Sequence, residues 1–375
     1  MQVENVHCVG WQLVKSGRNC AIIPRMEAPI WVDTPASYQR MLTSLRAEKQ
    51  LAVDTESNSL YAYRERVCLI QISTSAADYL VDPFTLADLS DLGALFADPA
   101  VEKIFHAAEY DVICLKRDYG FQFENLFDTM LAARILGRNA VGLGSLLEEL
   151  FGIKLDKRYQ RADWGQRPLP PALLAYARLD SHYLPALRER LAGELEKAGH
   201  SELAREDFQR MCATPVPPEN GHDAVWRVAA GHDLSSRHLA VLNELIAYRD
   251  RVAKQKDLPA FKVLSNQALA YTARALPRGP EDLRNIPDLS PRLVERHAQG
   301  LLQAVERGLT AEPPVRPHPL RWSDPVLARL ERLKTWRKDM GQHYGVESDV
   351  ILPRDLMEAI AARGPKNPAE LQEVM

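Results

Sequence analysis

The chain has little that would tie it to a membrane, a disulfide frame or a zinc site. No apolar run approaches the roughly 18–20 residues of a helical membrane span, and the first residues carry no signal-peptide pattern. No membrane partner is expected. The five cysteines, Cys8, Cys20, Cys68, Cys114 and Cys212, are odd in number and scattered, with no C-x-x-C pair. That usage argues against a disulfide scaffold and points to reduced, mostly buried thiols in a cytoplasmic protein. Neither sign of charge prevails. The net value of −3 neither demands nor excludes nucleic acid, so local patches matter more than the total. There is no low-complexity tract. What is present, 375 residues with 46% hydrophobic and 26% charged side chains, is globular in composition and long enough for two or three domains.

Residues 1–28 form an extension without clear periodicity, although Gly10 to Pro24 fits a short hairpin. Ile30-Trp31-Val32 reads as a strand, and Thr34-Pro35 supplies an N-cap and a first-turn proline for a helix through about Glu48. Leu51 to Val53, Val67 to Thr74 and Asp78 to Asp82 read as strands, the last two close enough for an antiparallel meander. Helical patterns follow over Leu86–Ala97, Ala107–Tyr119, Leu126–Leu136 and Gly144–Phe151, with a short strand at Lys103–His106 and one long helix over Pro171–Ala198. Strands first and helices later predict an α/β domain with a mixed sheet over 29–212. A proline-rich linker, 213–225, precedes a helical unit over 226–309. A second linker, 310–323, precedes a last helical piece, 324–375.

Carboxylates carry the chemistry. Asp54 and Glu56 follow the Leu51–Val53 strand at i, i+2, so both point to one face of an extended chain. Two like charges side by side are costly to bury unless a cation neutralises them, which makes the pair a candidate metal site. Asp111 lies in the first turns of a helix, where the dipole favours a carboxylate, and Glu109 competes with it as a ligand. Tyr176 and Asp180, at i, i+4, share one helix face a turn apart. Each of these also has a plain structural explanation: a solvated strand end, a dipole-favoured aspartate, a core tyrosine.

Their combination and order resemble the 3′–5′ exonuclease superfamily with a DEDD carboxylate set, in its tyrosine-bearing DEDDy branch. The segments LAVDTES, VCLIQIST, YLVDP, IFHAAEYDVICL, LFDTMLAARIL and YARLDSHYL, together with LDKRYQRADW at Leu155–Trp164, resemble ribonuclease D over about residues 29–200. The resemblance implies a ribonuclease H-like fold, a mixed sheet flanked by helices, and two divalent cations, Mg²⁺ or Mn²⁺. Asp54 would bridge them, Glu56 and Asp180 would complete the first site, and Asp111 would hold the second. Tyr176 would orient the attacking water, a role ranked above removing its proton because an unperturbed phenol has a pKa of ~10. The sister branch has a histidine where this chain has Ala175. Asp128 recurs in the family pattern as a supporting residue. His106 is expected to be structural rather than a substrate contact, and His182 to lie on a different helix face from Tyr176.

Residues Leu239–Asp257, the Pro259–Ser265 turn and Arg292–Arg307 resemble an HRDC domain, and Leu327–Met340 with Val350–Leu356 resemble a second, shortened copy. Lys334, Arg337 and Lys338 near Trp336 and Tyr344 offer charge and a stacking surface to RNA; the competing reading puts Trp336 in a core. The absence of a G-x-x-x-x-G-K-[ST] loop argues against a helicase. The implied activity is trimming of RNA 3′ ends, transfer RNA precursors above all, with release of nucleoside 5′-monophosphates; the sequence leaves the oligomeric state open, with a monomer favoured. A DNA 3′–5′ exonuclease and a non-catalytic nucleic-acid scaffold remain as alternatives.

Overall fold

The computed structural model describes residues 11–16, 19–24, 27–156, 158–217, 224–316 and 322–374. Cys8, Lys157 and the linker segments 218–223 and 317–321 lie outside them. The chain forms two compact units. One comprises Met1–Ser57, Val67–Val216 and Leu320–Met375; the other comprises Asn58–Arg66 and Pro217–Pro319.

In the first unit, β1 (Trp11–Ser16) and β2 (Asn19–Pro24) pair antiparallel as the expected hairpin. β3 (Ile30–Val32) leads into α1 (Pro35–Leu45), which Thr34 and Ser37 cap reciprocally, each side chain accepting from the other's main-chain N–H. Then β4 (Gln50–Ser57), β5 (Val67–Ser73) and β6 (Asp78–Val81) run as an antiparallel meander. After α2 (Ser90–Ala97) comes β7 (Glu102–Phe105), which lies parallel to β4. After α3 (Glu109–Tyr119) comes β8 (Leu126–Asp128), parallel to β7. The six-stranded mixed sheet has the order β3-β6-β5-β4-β7-β8.

That order puts β4 inside the sheet, and its apolar run follows from burial on both faces. Leu51 and Val53 join a core with Leu42, Phe105 and Val112, while Ala52 joins another with Ile104, Phe127 and Leu187. Helices α4 (Thr129–Ile135), α5 (Leu143–Phe151), α6 (Pro171–His182), α7 (Leu184–Ala198) and α8 (Ser201–Cys212) complete this part.

Three expected helices change. Leu126–Leu136 divides into strand β8 and helix α4, because Leu126 to Asp128 pair with β7 and Asp128 then caps α4. The helix expected from Leu86 begins at Ser90. The single helix over Pro171–Ala198 breaks at Tyr183, where Pro185 in the first turn of α7 has no N–H to continue the ladder.

The second unit contains α9 (Ala224–Ala229), α10 (Ser236–Lys256), α11 (Ala260–Val263), α12 (Asn266–Ala275), α13 (Pro280–Arg284) and α14 (Pro291–Thr310). Leu242, Leu245, Leu269 and Leu301 form its core, and Tyr63 from the 58–66 loop packs against it. The Tyr63 hydroxyl donates to Asp250 (2.8 Å) and its main-chain N–H to Asp257 (3.1 Å).

The last helices, α15 (Asp324–Tyr344), α16 (Ser348–Ile351), α17 (Arg354–Arg363) and α18 (Pro368–Gln372), belong to the first unit. They share a small core of Leu330, Leu352, Met357 and Ala361, but Val350 is buried with Phe208, Leu146 and Leu187 in the core that backs the sheet. Arg134 on α4 donates to Glu347 and Asp349, each at 2.7 Å. The placement of Trp336 in a core does not hold. It is 48% exposed on α15, because the apolar stripe of that helix runs through Val326, Leu330 and Leu333 instead.

Candidate active site

Asp54 and Glu56 point to the face of β4 that α6 covers, and α6 brings Asp180 to them. One carboxylate oxygen from each of the three lies within 4.8 Å of the others. Tyr176, one helical turn before Asp180, lines the same cavity of about 380 Å³, as do His106 and Gln160. A larger groove of about 890 Å³ at β8, α7 and α8 contains none of these residues.

Asp111 stands outside the trio but within its field. It is buried in the first turn of α3, whereas Glu109 is exposed. Thr55 points to the opposite face of β4 from Asp54 and Glu56, and its hydroxyl donates to the Asp111 carboxylate. The turn that delivers Asp111 is held by Asp128, a fully buried residue. Its carboxylate accepts from the N–H groups of Ala107 (3.1 Å), Ala108 (2.8 Å), Met130 (2.7 Å) and Leu131 (3.1 Å). Ala107 there takes a left-handed conformation, φ 61°, which a non-glycine residue keeps only when its surroundings over-determine it. Asp128 thus ties the turn that leads into α3 to the start of α4.

The electrostatics all run one way. Burial pushes the Asp54 carboxyl well above its ordinary range, and the charges of Asp111, Asp180 and Glu56 push it further. Burial, then Asp180 and Asp111, raise Glu56 to about 9. Burial raises Asp111 to about 7 against the opposing Thr55 hydrogen bonds, and burial raises Asp180 to about 7. A buried cluster of oxygen donors that resists ionisation must take up protons or cations, and hard divalent cations fit this donor set.

Tyr176 is held by aromatic neighbours. Tyr159 meets it edge-on with centroids 5.7 Å apart, and Trp164 stacks on it at 6.2 Å. Arg167 fixes that flanking loop by donating to both Asp82 oxygens (2.7 and 2.8 Å) and to the carbonyls of Cys68 and Trp164. Burial, followed by the nearby carboxylates, pushes the Tyr176 phenol above its ordinary range, so it stays protonated at neutral pH. His106 bonds through Nδ1 to Thr129 (2.9 Å), whose hydroxyl donates to the Phe105 carbonyl; burial lowers its pKa to about 4. It is anchored as a structural histidine and lines the cavity as well. His182 is buried against Asp78 (2.9 Å), away from Tyr176. Thr55, Tyr159 and Trp164 were not singled out by sequence reasoning. The only signal for them is that Thr55 lies within LAVDTES, and Tyr159 and Trp164 within LDKRYQRADW.

Comparison with known proteins agrees with this geometry. Residues 29–196 match the 3′–5′ exonuclease family model, and residues 238–305 and 326–375 match the HRDC domain. The first unit therefore carries a 3′–5′ exonuclease domain. Over most of its length the chain is similar to ribonuclease D. It is 29% identical over 349 residues to ribonuclease D of Pseudomonas paraeruginosa, covering 92% of each chain. The crystal structure of Escherichia coli ribonuclease D superposes with a TM-score of 0.69 at 25% identity, covering 93% of this chain and 98% of that one. The exosome complex exonuclease RRP6 of Saccharomyces cerevisiae is 34% identical over 258 residues, which span 64% of this chain and 35% of that protein. The chain thus spans about a third of the length of the RRP6 relatives it matches.

Proposed function

We propose that this protein is a metal-dependent 3′–5′ exoribonuclease that shortens RNA from its 3′ end and releases nucleoside 5′-monophosphates. The observation that carries this reading is the convergence of Asp54, Glu56 and Asp180 on one cavity with Tyr176, in a 3′–5′ exonuclease domain. Asp54, Glu56 and Asp180 would hold one divalent cation, Mg²⁺ or Mn²⁺, and Asp54 with Asp111 would hold a second. When bound, such cations supply charge stabilisation for the attacking and leaving oxygens of phosphodiester hydrolysis.

The chain's own groups do the rest. Tyr176, protonated and clamped between Tyr159 and Trp164, orients a water by hydrogen bonding rather than taking its proton. His106, neutral at physiological pH, presents an uncharged edge to the cavity and does not pair permanently with phosphate. RNA is favoured over DNA because the relative matched along most of the chain is a ribonuclease by name, and the Escherichia coli protein is described as an exoribonuclease involved in structured RNA processing. Transfer RNA precursors are the substrate this reading puts first, and a cytoplasmic monomer is its working form. The free thiol of Cys212 is in keeping with that compartment.

The test is digestion of a labelled RNA with a free or blocked 3′ end, beside a DNA of the same sequence. Each is run with Mg²⁺, Mn²⁺ or EDTA and with the Asp54→Asn protein. A metal-dependent ladder from free RNA ends that disappears in Asp54→Asn is the expected result. Faster attack on DNA moves the enzyme to the DNA class, and binding without cleavage under every metal condition leaves a scaffold.

A further inference from the structure

The side chain of Gln71 lies at the centre of the exonuclease sheet, fully buried, and neither its amide nitrogen nor its amide oxygen has a hydrogen-bond partner. A carboxamide carries two donor hydrogens and an acceptor oxygen, and leaving all of them unpaired in the interior is costly. Such groups call for an explanation. Its surroundings give a direction for one.

In the antiparallel ladder Gln71 stands directly opposite Asp54 on β4, and opposite Leu80 on β6. Opposed residues of an antiparallel pair point to the same face, with Cβ atoms roughly 4.5–5.5 Å apart. Two residues further along the same face, Ser73 bonds to Ser181 of α6 (2.8 Å), so this is the face that α6 covers. Leu69, Leu80 and Ala177 belong to one buried cluster and offer nothing to an amide. Besides the Ser73–Ser181 pair, the polar groups this face offers nearby are the carboxylates of Asp54 and of Asp180, the residue before Ser181 on α6. Of these, Asp54 is the one placed directly across the ladder.

We propose that Gln71 is a positioning residue for the metal centre: when the site is loaded, its amide N–H donates to the Asp54 carboxylate and fixes which oxygens face the ions. A ligating carboxylate needs its free lone pairs held so that it keeps a single orientation, and outer hydrogen bonds of this kind commonly contribute 10–100-fold in metal affinity. A neutral amide suits the position. A lysine or arginine would compete with the cations for the carboxylate, whereas an amide donates without cancelling its charge. The proposal rests on the reading of Asp54 as a metal ligand.

The measurement is Mn²⁺ binding by titration calorimetry on the full chain, with the melting temperature of the metal-free protein beside it. Wild type must bind Mn²⁺; if it does not, the metal-site reading fails, and Gln71 is not the cause. In Gln71→Leu, the metal-free protein should melt at or above the wild-type temperature, since an unpaired buried amide has been exchanged for an apolar group of similar size. Its Mn²⁺ affinity should nevertheless fall at least tenfold. A merely structural Gln71 would move the melting temperature and leave affinity within about twofold of wild type, and that result overturns the proposal. Gln71→Met, unbranched and closer in shape, serves if the leucine variant does not fold. In wild type, the Gln71 side-chain amide resonances should shift on addition of Mg²⁺; resonances that stay in place count against the proposal without any substitution.

Discussion

Thr55 joins the two halves of the carboxylate site: it lies between Asp54 and Glu56 in sequence, and its hydroxyl donates to Asp111 across the strand. The pleat sends Asp54 and Glu56 to one face and Thr55 to the other. One strand therefore supplies two candidate ligands and the partner of a third. Thr55→Val keeps the shape and removes the donor. Turnover at saturating Mn²⁺ should fall roughly 10–100-fold, while stability changes by only about 1 kcal/mol. Steady-state kinetics paired with denaturant unfolding would separate the two effects. Equal losses in both would make Thr55 a simple core residue.

Without metal, the protein should lose stability as pH rises. Glu56 is raised from 4.5 to about 9, and Asp111 and Asp180 from 3.8 to about 7. Between the unfolded and folded values the unfolded chain has released protons that the folded chain retains, so each step upward favours unfolding. The stabilising contribution is complete below about pH 4 and lost progressively toward pH 9. In EDTA the melting temperature should be lower at pH 8.5 than at pH 6 by ~5 °C or more. Mg²⁺ should restore more of it at the higher pH, because metal binds the ionised cluster. A flat profile in EDTA would contradict the buried-carboxylate account.

If Tyr176 orients water as a neutral phenol, Tyr176→Phe should lower turnover by roughly 10²-fold, equally at every pH from 6 to 9. A tyrosine acting as base would instead give wild type an activity that climbs steeply with pH and a variant that does not. The comparison needs only the pH–rate profiles of the two proteins.

Arg134 should measurably fasten α16 to α4. Its guanidinium is only 26% exposed, while Glu347 and Asp349 are 73% and 50% exposed. Solvent therefore weakens the pairs, and Arg134→Ala should cost about 1 kcal/mol, less in high salt. Val350→Asp, which puts a charge into the buried core beside Phe208, should cost several times more. Thermal melts at low and high salt would order the two variants.

Much of the site was legible because its signals are local. Asp54, Glu56, Tyr176 and Asp180 sit at spacings that the strand and helix periods convert directly into a shared face, and Thr34-Pro35 announces α1 by capping chemistry alone. What stayed hidden depends on partners distant in the chain. Leu126 to Asp128 look helical until β7 is there to pair with them. Gln71 looks like any strand residue until the register puts it opposite Asp54. The break at Tyr183 was readable, since Pro185 lies in the sequence, but the strong apolar periodicity on both sides of it obscured the stop. Trp336 was misplaced because size suggested a core, whereas the stripe of Val326, Leu330 and Leu333 decides which face of α15 is covered.

The first unit is assembled from three pieces of chain, and its last piece is made after residues 217–319. At ~5–20 residues per second of synthesis, the ribosome needs roughly 5–20 s to pass through that intervening stretch. During that interval the exonuclease core has its sheet and its carboxylates, but the pocket that receives Val350 is still open to water. A protein cut short before residue 320 would be left permanently in that half-finished condition, with an apolar seat for a chaperone, or for another nascent copy, to find first.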